Sequence, residues 1–117
     1  MQYILLAYVD ESGWTKLTKA EQEQGVAAYA AYVEALTKAG ALVGKSRLQP
    51  SSAATTVRVA DGKPQVLDGP YVESKEQLGG YFLIDVADID AAIAWATRCP
   101  AASHGTVEVR PLWVMPA

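Results

Sequence analysis

Four charged residues crowd a short segment in the second half of the chain. Within LDGPYVESKEQLGGYFLIDV, residues 67–86, the carboxylates Asp68, Glu73 and Glu76 stand close in sequence to Lys75. Paired carboxylates can transfer protons without a metal when burial favours the protonated form of one of them. We therefore predict Asp68 and Glu73 as acid–base residues, with Lys75 and Glu76 binding a ligand. The alternative is a solvated loop with an Asx turn and local ion pairs.

Two further ionisable residues lie nearer the C-terminus. His104 is the only histidine, and an imidazole titrates near neutral pH, so His104 is a candidate general base. It lies in a polar loop, ASHG, however, and a lone histidine in a loop is more often solvated. Arg110, in VEVRP, carries a planar fork that can hold a carboxylate or phosphate group, and the alternative for it is a cross-strand ion pair.

Aromatic side chains offer apolar walls for a ligand pocket. Tyr8, Tyr71 and Tyr81 are our candidates, while most other aromatic residues are expected in the core or in an interface. The single cysteine, Cys99, excludes an intramolecular disulfide. Because Arg98 precedes it, Cys99 is either an activated thiol or, as is more common at a helix end, a buried one.

Familiar catalytic and cofactor motifs are missing from the sequence. It contains no HExxH, CxxC, GxGxxG, Walker or Gly-x-Ser-x-Gly pattern. A transition-metal site built with one histidine and one cysteine would need an unusual carboxylate-rich ligand set. We expect no metal and no nucleotide cofactor.

Length and charge narrow the class of protein. The 117 residues suit a single domain spanning residues 1–117, and the net charge of −3 offers no basic surface for nucleic acid. The N-terminal apolar run is interrupted at Asp10, too early for a membrane span, and no basic leader precedes it. We expect a cytoplasmic protein that binds neither nucleic acid nor membrane.

The first half of the chain predicts a strand, a long helix and a second strand. QYILLAYV at 2–9 is rich in β-forming residues, and the turn-forming DESGW ends it. Thr18 and Glu21 form a capping box that opens a helix. ALVGKSRL at 41–48 is typical of a strand. The expected apolar stripe of the helix comprises Val26, Tyr29, Val33 and Leu36.

The second half predicts a hairpin, a central strand, a second helix and a last strand. TTVRV and QVL are joined through Asp61-Gly62, a dipeptide suited to a hairpin turn. GYFLIDV at 80–86 is apolar enough for a strand covered on both faces. Asp88 caps IDAAIAWATR, with Ile89, Ala92, Ile93 and Ala96 on one face and Pro100 beyond its end. TVEVRPLWV at 106–114 alternates as a half-covered strand, with Pro111 at an edge or strand end.

This order of elements predicts an α+β fold with a ferredoxin-like split βαβ antiparallel sheet and a β-hairpin insertion. Helices on one face leave the other face of the sheet open. Since the central strand is apolar on both faces, we expect a second copy to cover the open face. The predicted assembly is a homodimer packed sheet to sheet, of the dimeric α/β barrel type.

Several motifs together resemble the DGPF-domain branch of the YCII-related family. They are MQYILLAYVDE, ALVGKSRLQP, TTVRVADGK, VLDGPYVESKEQLGGYFLIDV, IAWATRCP and GTVEVRPLW, which run through nearly the whole chain. The resemblance implies a ferredoxin-like domain that dimerises through its sheet. The branch tetrapeptide reads Asp68-Gly69-Pro70-Tyr71 here, with a tyrosine where the branch usually has phenylalanine.

The resemblance implies less about function. Typical members of the wider family carry a histidine on the first helix and an aspartate before a proline after the second helix. Tyr29 and Cys99 occupy the best-matching positions here, so that general-base pair is not carried over. Any chemistry then falls to residues of the DGPF branch.

Three functional hypotheses follow. We favour a homodimer that binds a small polar or aromatic molecule in a dimer cleft, with metal-free acid–base catalysis of the lyase or isomerase type. The alternatives are a sensor that binds a ligand without turnover and a non-enzymatic regulatory or interaction protein. Proteins resembling this one are often encoded near sigma factors of the extracytoplasmic-function type, which implies a sigma-factor-related partner.

Overall fold

The computed structural model describes residues 1–115, which form an antiparallel α+β structure as the sequence predicts. The elements in chain order are β1 Gln2–Val9, α1 Glu11–Thr15, α2 Lys19–Lys38, β2 Leu42–Arg47, β3 Thr55–Ala60, β4 Lys63–Asp68, β5 Gln77–Asp85, α3 Ile89–Arg98 and β6 Thr106–Pro111. Two short 3-10 helices, Ser51–Ala53 and Pro100–Ser103, complete the secondary structure of these residues.

Four strands form the main sheet in the order β2-β5-β1-β6, and every neighbouring pair is antiparallel. The strand predicted to be central, β5, does lie between two others. Tyr3 pairs with Ile84 of β5 on one side and with Pro111 of β6 on the other. Pro111 therefore ends an edge strand, the position that its missing amide hydrogen permits.

One face of this sheet packs against α2 and α3 to make the core. The sheet contributes the buried residues Tyr3, Leu5 and Ala7 of β1 and Phe82 and Ile84 of β5. The helices contribute Tyr32 and Leu36 of α2 and Ala92 and Ala96 of α3. The Tyr32 hydroxyl donates a hydrogen bond to the Trp95 carbonyl oxygen at 2.7 Å, which ties the two helices together.

Helix α2 begins as predicted, and three of the four residues of its predicted stripe face the core: Leu36 is buried, and Tyr29 and Val33 pack against the buried residues. The Thr18 hydroxyl accepts from the Glu21 amide at 3.1 Å, and the Glu21 carboxylate accepts from the Thr18 amide at 2.9 Å. Val26, predicted to be in the stripe, is exposed, whereas Tyr32 is buried. The beginning of α2 contacts Trp14 instead of the sheet, and this contact directs Val26 outward.

The DESGW segment was predicted as a turn and that prediction is wrong, since most of it forms α1. The Asp10 carboxylate accepts hydrogen bonds from the Ser12 amide at 3.0 Å and the Ser12 hydroxyl at 2.7 Å, which caps the helix start. Trp14 then lies under the Arg47 guanidinium, 5.4 Å from ring centroid to Cζ. The Ser51 amide and hydroxyl also donate to the Glu11 carboxylate at 2.7 and 2.8 Å, so distant residues as well as the local cap hold this short helix.

Helix α3 has the predicted cap and half of the predicted buried face. Asp88 accepts from the Ala91 amide at 2.9 Å. Ala92 and Ala96 are buried, while Ile89 and Ile93 are exposed, so the isoleucines are not part of the core. None of the helices within residues 1–115 combines the length and apolarity required to cross a membrane.

The insertion is the predicted two-stranded hairpin of β3 and β4. Asp61 and Gly62 have φ angles of +52° and +73°, as a type I′ turn requires at both central positions. Strand β4 continues through Asp68, which pairs with Thr55 at the base of the hairpin.

The face of the main sheet opposite the helices is lined by the alternate residues of the same strands. Leu6 pairs with Tyr81, and Ile4 pairs with Leu83, so these four side chains project together from that face. They are partly exposed. We call this surface the open face.

Candidate ligand cleft on the open face

A cleft of about 630 Å³ lies where the end of β1 meets the beginning of β6 and the segment before β5. Its wall comprises Tyr8, Ser74, Glu76, Thr106, Val107 and Glu108. Tyr8 pairs with Thr106, and Leu6 pairs with Glu108. Because side chains alternate along a strand, Tyr8, Thr106 and Glu108 project from the open face.

Hydrogen bonds fix the segment that borders the cleft. The Thr106 hydroxyl donates to the Glu76 carboxylate at 2.8 Å, joining this segment to β6. The Gln77 side-chain amide donates to the Ser74 carbonyl at 2.7 Å, and the Ser74 hydroxyl donates to the Glu76 carbonyl. Glu76 is thus an oriented carboxylate rather than a freely rotating one.

The second carboxylate of the cleft is held by an ion pair. The Arg110 Nε donates to Glu108 at 2.6 Å. The two residues are two positions apart on β6, so they share the open face. The partner of Arg110 therefore lies on its own strand, and the cross-strand ion pair that we considered from the sequence is wrong.

These groups define what the cleft can bind. Glu76 and Glu108 are hydrogen-bond acceptors, the hydroxyls of Ser74 and Thr106 can also accept because each already donates to Glu76, and Tyr8 supplies an aromatic wall. Such a combination fits a small molecule with N–H or O–H donors and a flat apolar part. Among residues 1–115, no three histidine, cysteine, aspartate or glutamate side chains gather as a metal site would require.

Comparison with known proteins identifies the family of this chain. The sequence profile of the YCII-related domain matches residues 1–116. The chain belongs to the YCII-related domain family. A protein of Rhizobium meliloti (strain 1021), described as an uncharacterized protein, is 41% identical over 114 residues, which are 96% of this chain and 92% of that protein. The similarity therefore includes every element that forms the cleft.

Four of the predicted site residues of this YCII-related protein lie on or beside the open face. Tyr8 and Glu76 line the cleft itself. Tyr81 pairs with Leu6, and Arg110 pairs with Ile4, which places both on the same face. The structure thus brings together residues that are more than 70 positions apart in the sequence, such as Tyr8 and Tyr81.

Lys75 lies near the end of β1. The Ser12 hydroxyl and amide hold the pKa of Asp10 below its usual range, and the positive charge of Lys75 acts in the same direction. Lys75 is exposed. Its charge is therefore close enough to act on Asp10, and its contact with a ligand stays a prediction.

The other predicted site residues stand outside the cleft wall. Asp68, Tyr71, Glu73 and His104 are exposed, and Tyr71 is 75% exposed. The His104 Nδ1 lies 3.4 Å from the Ser103 hydroxyl. The catalytic roles of Asp68, Glu73 and His104 and the ligand contact of Tyr71 stay predictions.

The two positions that correspond to the wider family's general-base pair lie on the helix side of the sheet. Tyr29 is partly buried and stacks on Phe82, with 6.5 Å between ring centroids. Burial raises the pKa of the Tyr29 phenol and of the Cys99 thiol. Cys99 is thus the buried thiol of our two alternatives, not the activated one.

A second cleft, of about 450 Å³, lies between α2 and the end of α3. The Tyr32, Thr97 and Ser103 hydroxyls on its wall already donate to backbone carbonyls. Arg98 stacks on Trp95, with 4.5 Å from Cζ to the ring centroid. Within residues 1–115, the wall of this cleft includes no carboxylate, whereas Glu76 and Glu108 line the cleft on the open face, which is therefore the better candidate for a ligand with N–H or O–H donors.

Sequence reasoning missed Ser74, Thr106 and Glu108 as cleft residues. The alternation in TVEVR does place Thr106, Glu108 and Arg110 on one face of a strand. That pattern does not show which strand lies beside β6. Only the pairing of β6 with β1 shows that Tyr8 lies beside Thr106.

Proposed function

We propose that this protein is a member of the DGPF branch that works as a homodimer packed sheet to sheet and binds a small molecule in the cleft on the open face. The strand order β2-β5-β1-β6, with the hairpin of β3 and β4 as an insertion, supports the ferredoxin-like split βαβ arrangement. The partly exposed apolar residues of the open face support a second copy as its cover.

The observation that carries this proposal is the position of the cleft. Two oriented carboxylates, Glu76 and Glu108, line a concavity on the face that a second copy would cover. A cover would exclude water from the cleft and strengthen its hydrogen bonds with a ligand. The open face would then both bind the ligand and form the dimer interface.

The ligand class follows from the acceptors of the cleft. A small aromatic molecule with an amino group can donate hydrogen bonds to Glu76 and pack its ring against Tyr8. An aromatic carboxylate would meet like charge at Glu76 instead. Proton transfer would need Asp68, Glu73 or His104 beside the ligand, which makes binding the primary function that we propose and acid–base catalysis an extension of it.

Native mass spectrometry of gently purified protein, followed by thermal denaturation with matched probes, tests the proposal. We expect a dimer, and we expect tyramine at millimolar concentration to raise the unfolding midpoint while benzoate leaves it unchanged. A monomer with no retained molecule and no stabilisation by either probe would refute both the dimer and the cleft. Stabilisation by benzoate alone would assign the binding to Arg110 or Lys75.

Two neighbouring carboxylates supply a matched pair of variants. Glu76→Gln removes the negative charge from the cleft wall, whereas Glu73→Gln removes an exposed charge three residues earlier. We expect tyramine affinity to fall about tenfold or more in Glu76→Gln, since a hydrogen bond to a charged group contributes about 1.5–3 kcal/mol. Equal losses in both variants would show that overall charge, and not the cleft, governs binding.

A further inference from the structure

The hairpin of β3 and β4 has one apolar face. Val57 pairs with Val66, and Val59 pairs with Pro64, so these four side chains project from the same side. Val57, Val59 and Val66 are 59%, 71% and 61% exposed. We call this surface the valine face.

The opposite side of the hairpin is mostly polar. Arg58 pairs with Gln65, Ala60 with Lys63 and Thr56 with Leu67, so the exposed Leu67 is the one large apolar side chain on this side of the hairpin. A ribbon that alternates in this way is typical of a strand pair with one covered side. The valine face is therefore patterned for burial although it is exposed in the single chain.

The described chain is too flat to cover the hairpin by itself. Its principal extents are 48 × 48 × 17 Å and its radius of gyration is 16.3 Å. A compact chain of this length has a radius of gyration of about 13 Å. An isolated two-stranded hairpin is marginally stable in water, so a covered valine face would add to its stability.

The charges of the hairpin limit what can cover it. Between residues 55 and 68, Arg58 and Lys63 are balanced by Asp61 and Asp68. A hairpin without net charge has no electrostatic attraction for nucleic acid or for an anionic lipid surface. Its cover should be another apolar protein surface.

The size of the valine face favours a second copy of this chain. Three valines at these exposures offer on the order of 200 Å² of apolar surface. A stable interface buries about 800 Å² on each partner, so this face is too small to act alone. It suits an arm that enlarges a larger interface, and the open face of the same chain is such a surface.

We infer that the hairpin is a dimerisation arm whose valine face packs against the second copy. This inference rests on the proposed homodimer. In a two-fold symmetric pair, each chain contributes its arm and receives the arm of its partner, so the stabilising contact occurs twice. The segment that follows the arm, residues 69–76, leads directly to the cleft, and the arm therefore fixes one border of the ligand site.

The test compares two adjacent cross-strand pairs of the hairpin. Val57→Thr/Val66→Thr keeps β-branched residues of similar shape while it makes the valine face polar. Arg58→Thr/Gln65→Thr changes the neighbouring pair on the opposite side. Sedimentation across a concentration series gives the dimer dissociation constant of each protein, and hydrogen exchange reports protection of residues 55–68 in the same samples.

We expect the valine variant to raise the dimer dissociation constant at least tenfold and to lose protection of residues 55–68, while the control stays close to the wild type. Equal dissociation constants for all three proteins would overturn the arm and leave the dimer standing. A wild type that stays monomeric at high concentration would overturn the dimer and the arm together. Unchanged exchange of β1 and β5 amides verifies that the variants are folded.

Discussion

At Cys99, burial decides the chemistry. The thiol lies at the end of α3 with 2% of its surface exposed, and burial raises its pKa. Since the thiolate is the reactive form, we expect alkylation by iodoacetamide at pH 8 to be at least 100-fold slower in the native protein than in the protein unfolded by urea. Comparable rates in the two states would show that the thiol is accessible and that the proposed packing of α3 is wrong.

The raised pKa of Cys99 also predicts how the stability of the protein depends on pH. The unfolded thiol has a pKa of about 8.5 and the folded one a higher value, so the unfolded state releases its proton first as the pH rises. The free energy of unfolding should therefore be unaffected by this group below about pH 8 and fall above it. Urea titrations at pH 7 and pH 9.5 measure the difference, and Cys99→Ala should reduce it. Burial also raises the pKa of Tyr32, which adds a further loss at still higher pH.

Helix α2 is stabilised by its sheet-facing stripe, not by every apolar residue it carries. Leu36 is fully buried in the core, whereas Val26 is exposed. We expect Leu36→Ala to lower the free energy of unfolding by about 2–5 kcal/mol, since it leaves a cavity in the core. Val26→Ala should change it by less than about 0.5 kcal/mol. Chemical denaturation of both variants provides the comparison, and a large loss in Val26→Ala would point to an interface on the outer side of α2.

The elements that could be predicted are those specified by local chemistry. The capping box at Thr18 and the Asp61-Gly62 turn need only neighbouring residues, and both are present as predicted. Helix α1 was missed because its stability depends partly on Arg47, which is distant in sequence. On α3, the prediction was right for Ala92 and Ala96 and wrong for Ile89 and Ile93, because the helical period alone does not show which side of the stripe faces the sheet.

The double glycine within β5 also has a tertiary reason. A Cβ atom on Gly80 would lie 2.8 Å from the carbonyl oxygen of Ser46, closer than a side chain allows. The glycine therefore lets β5 approach β2 at the end where the hairpin leaves the sheet. The strand pairing, in which Gly80 lies opposite Arg47, identifies β2 as the neighbour that requires this glycine.

At the scale of the whole molecule, the site depends on pairings that no single segment contains. The sequence identified Tyr8 and Glu76, because their types suit ligand binding, but it gave most weight to Asp68 and Glu73 on the loop. The structure places the carboxylates of the cleft at Glu76, in the segment before β5, and at Glu108 of β6, and the hydrogen bond from Thr106 to Glu76 joins that segment to β6. The strand order determines which of these residues are neighbours. That order depends on how the whole chain buries its core.

The open face provides the last prediction. Leu83 projects from its centre beside Ile4, and a charge at this position would be buried without a partner in a sheet-to-sheet dimer. We expect Leu83→Arg to convert the dimer to a monomer without loss of helix content, as sedimentation and circular dichroism would show. Ile93→Arg, on the exposed side of α3, is the control and should leave the dimer intact. A dimer that tolerates Leu83→Arg but dissociates with Ile93→Arg would move the interface to the helices, and the cleft would then lie open to solvent.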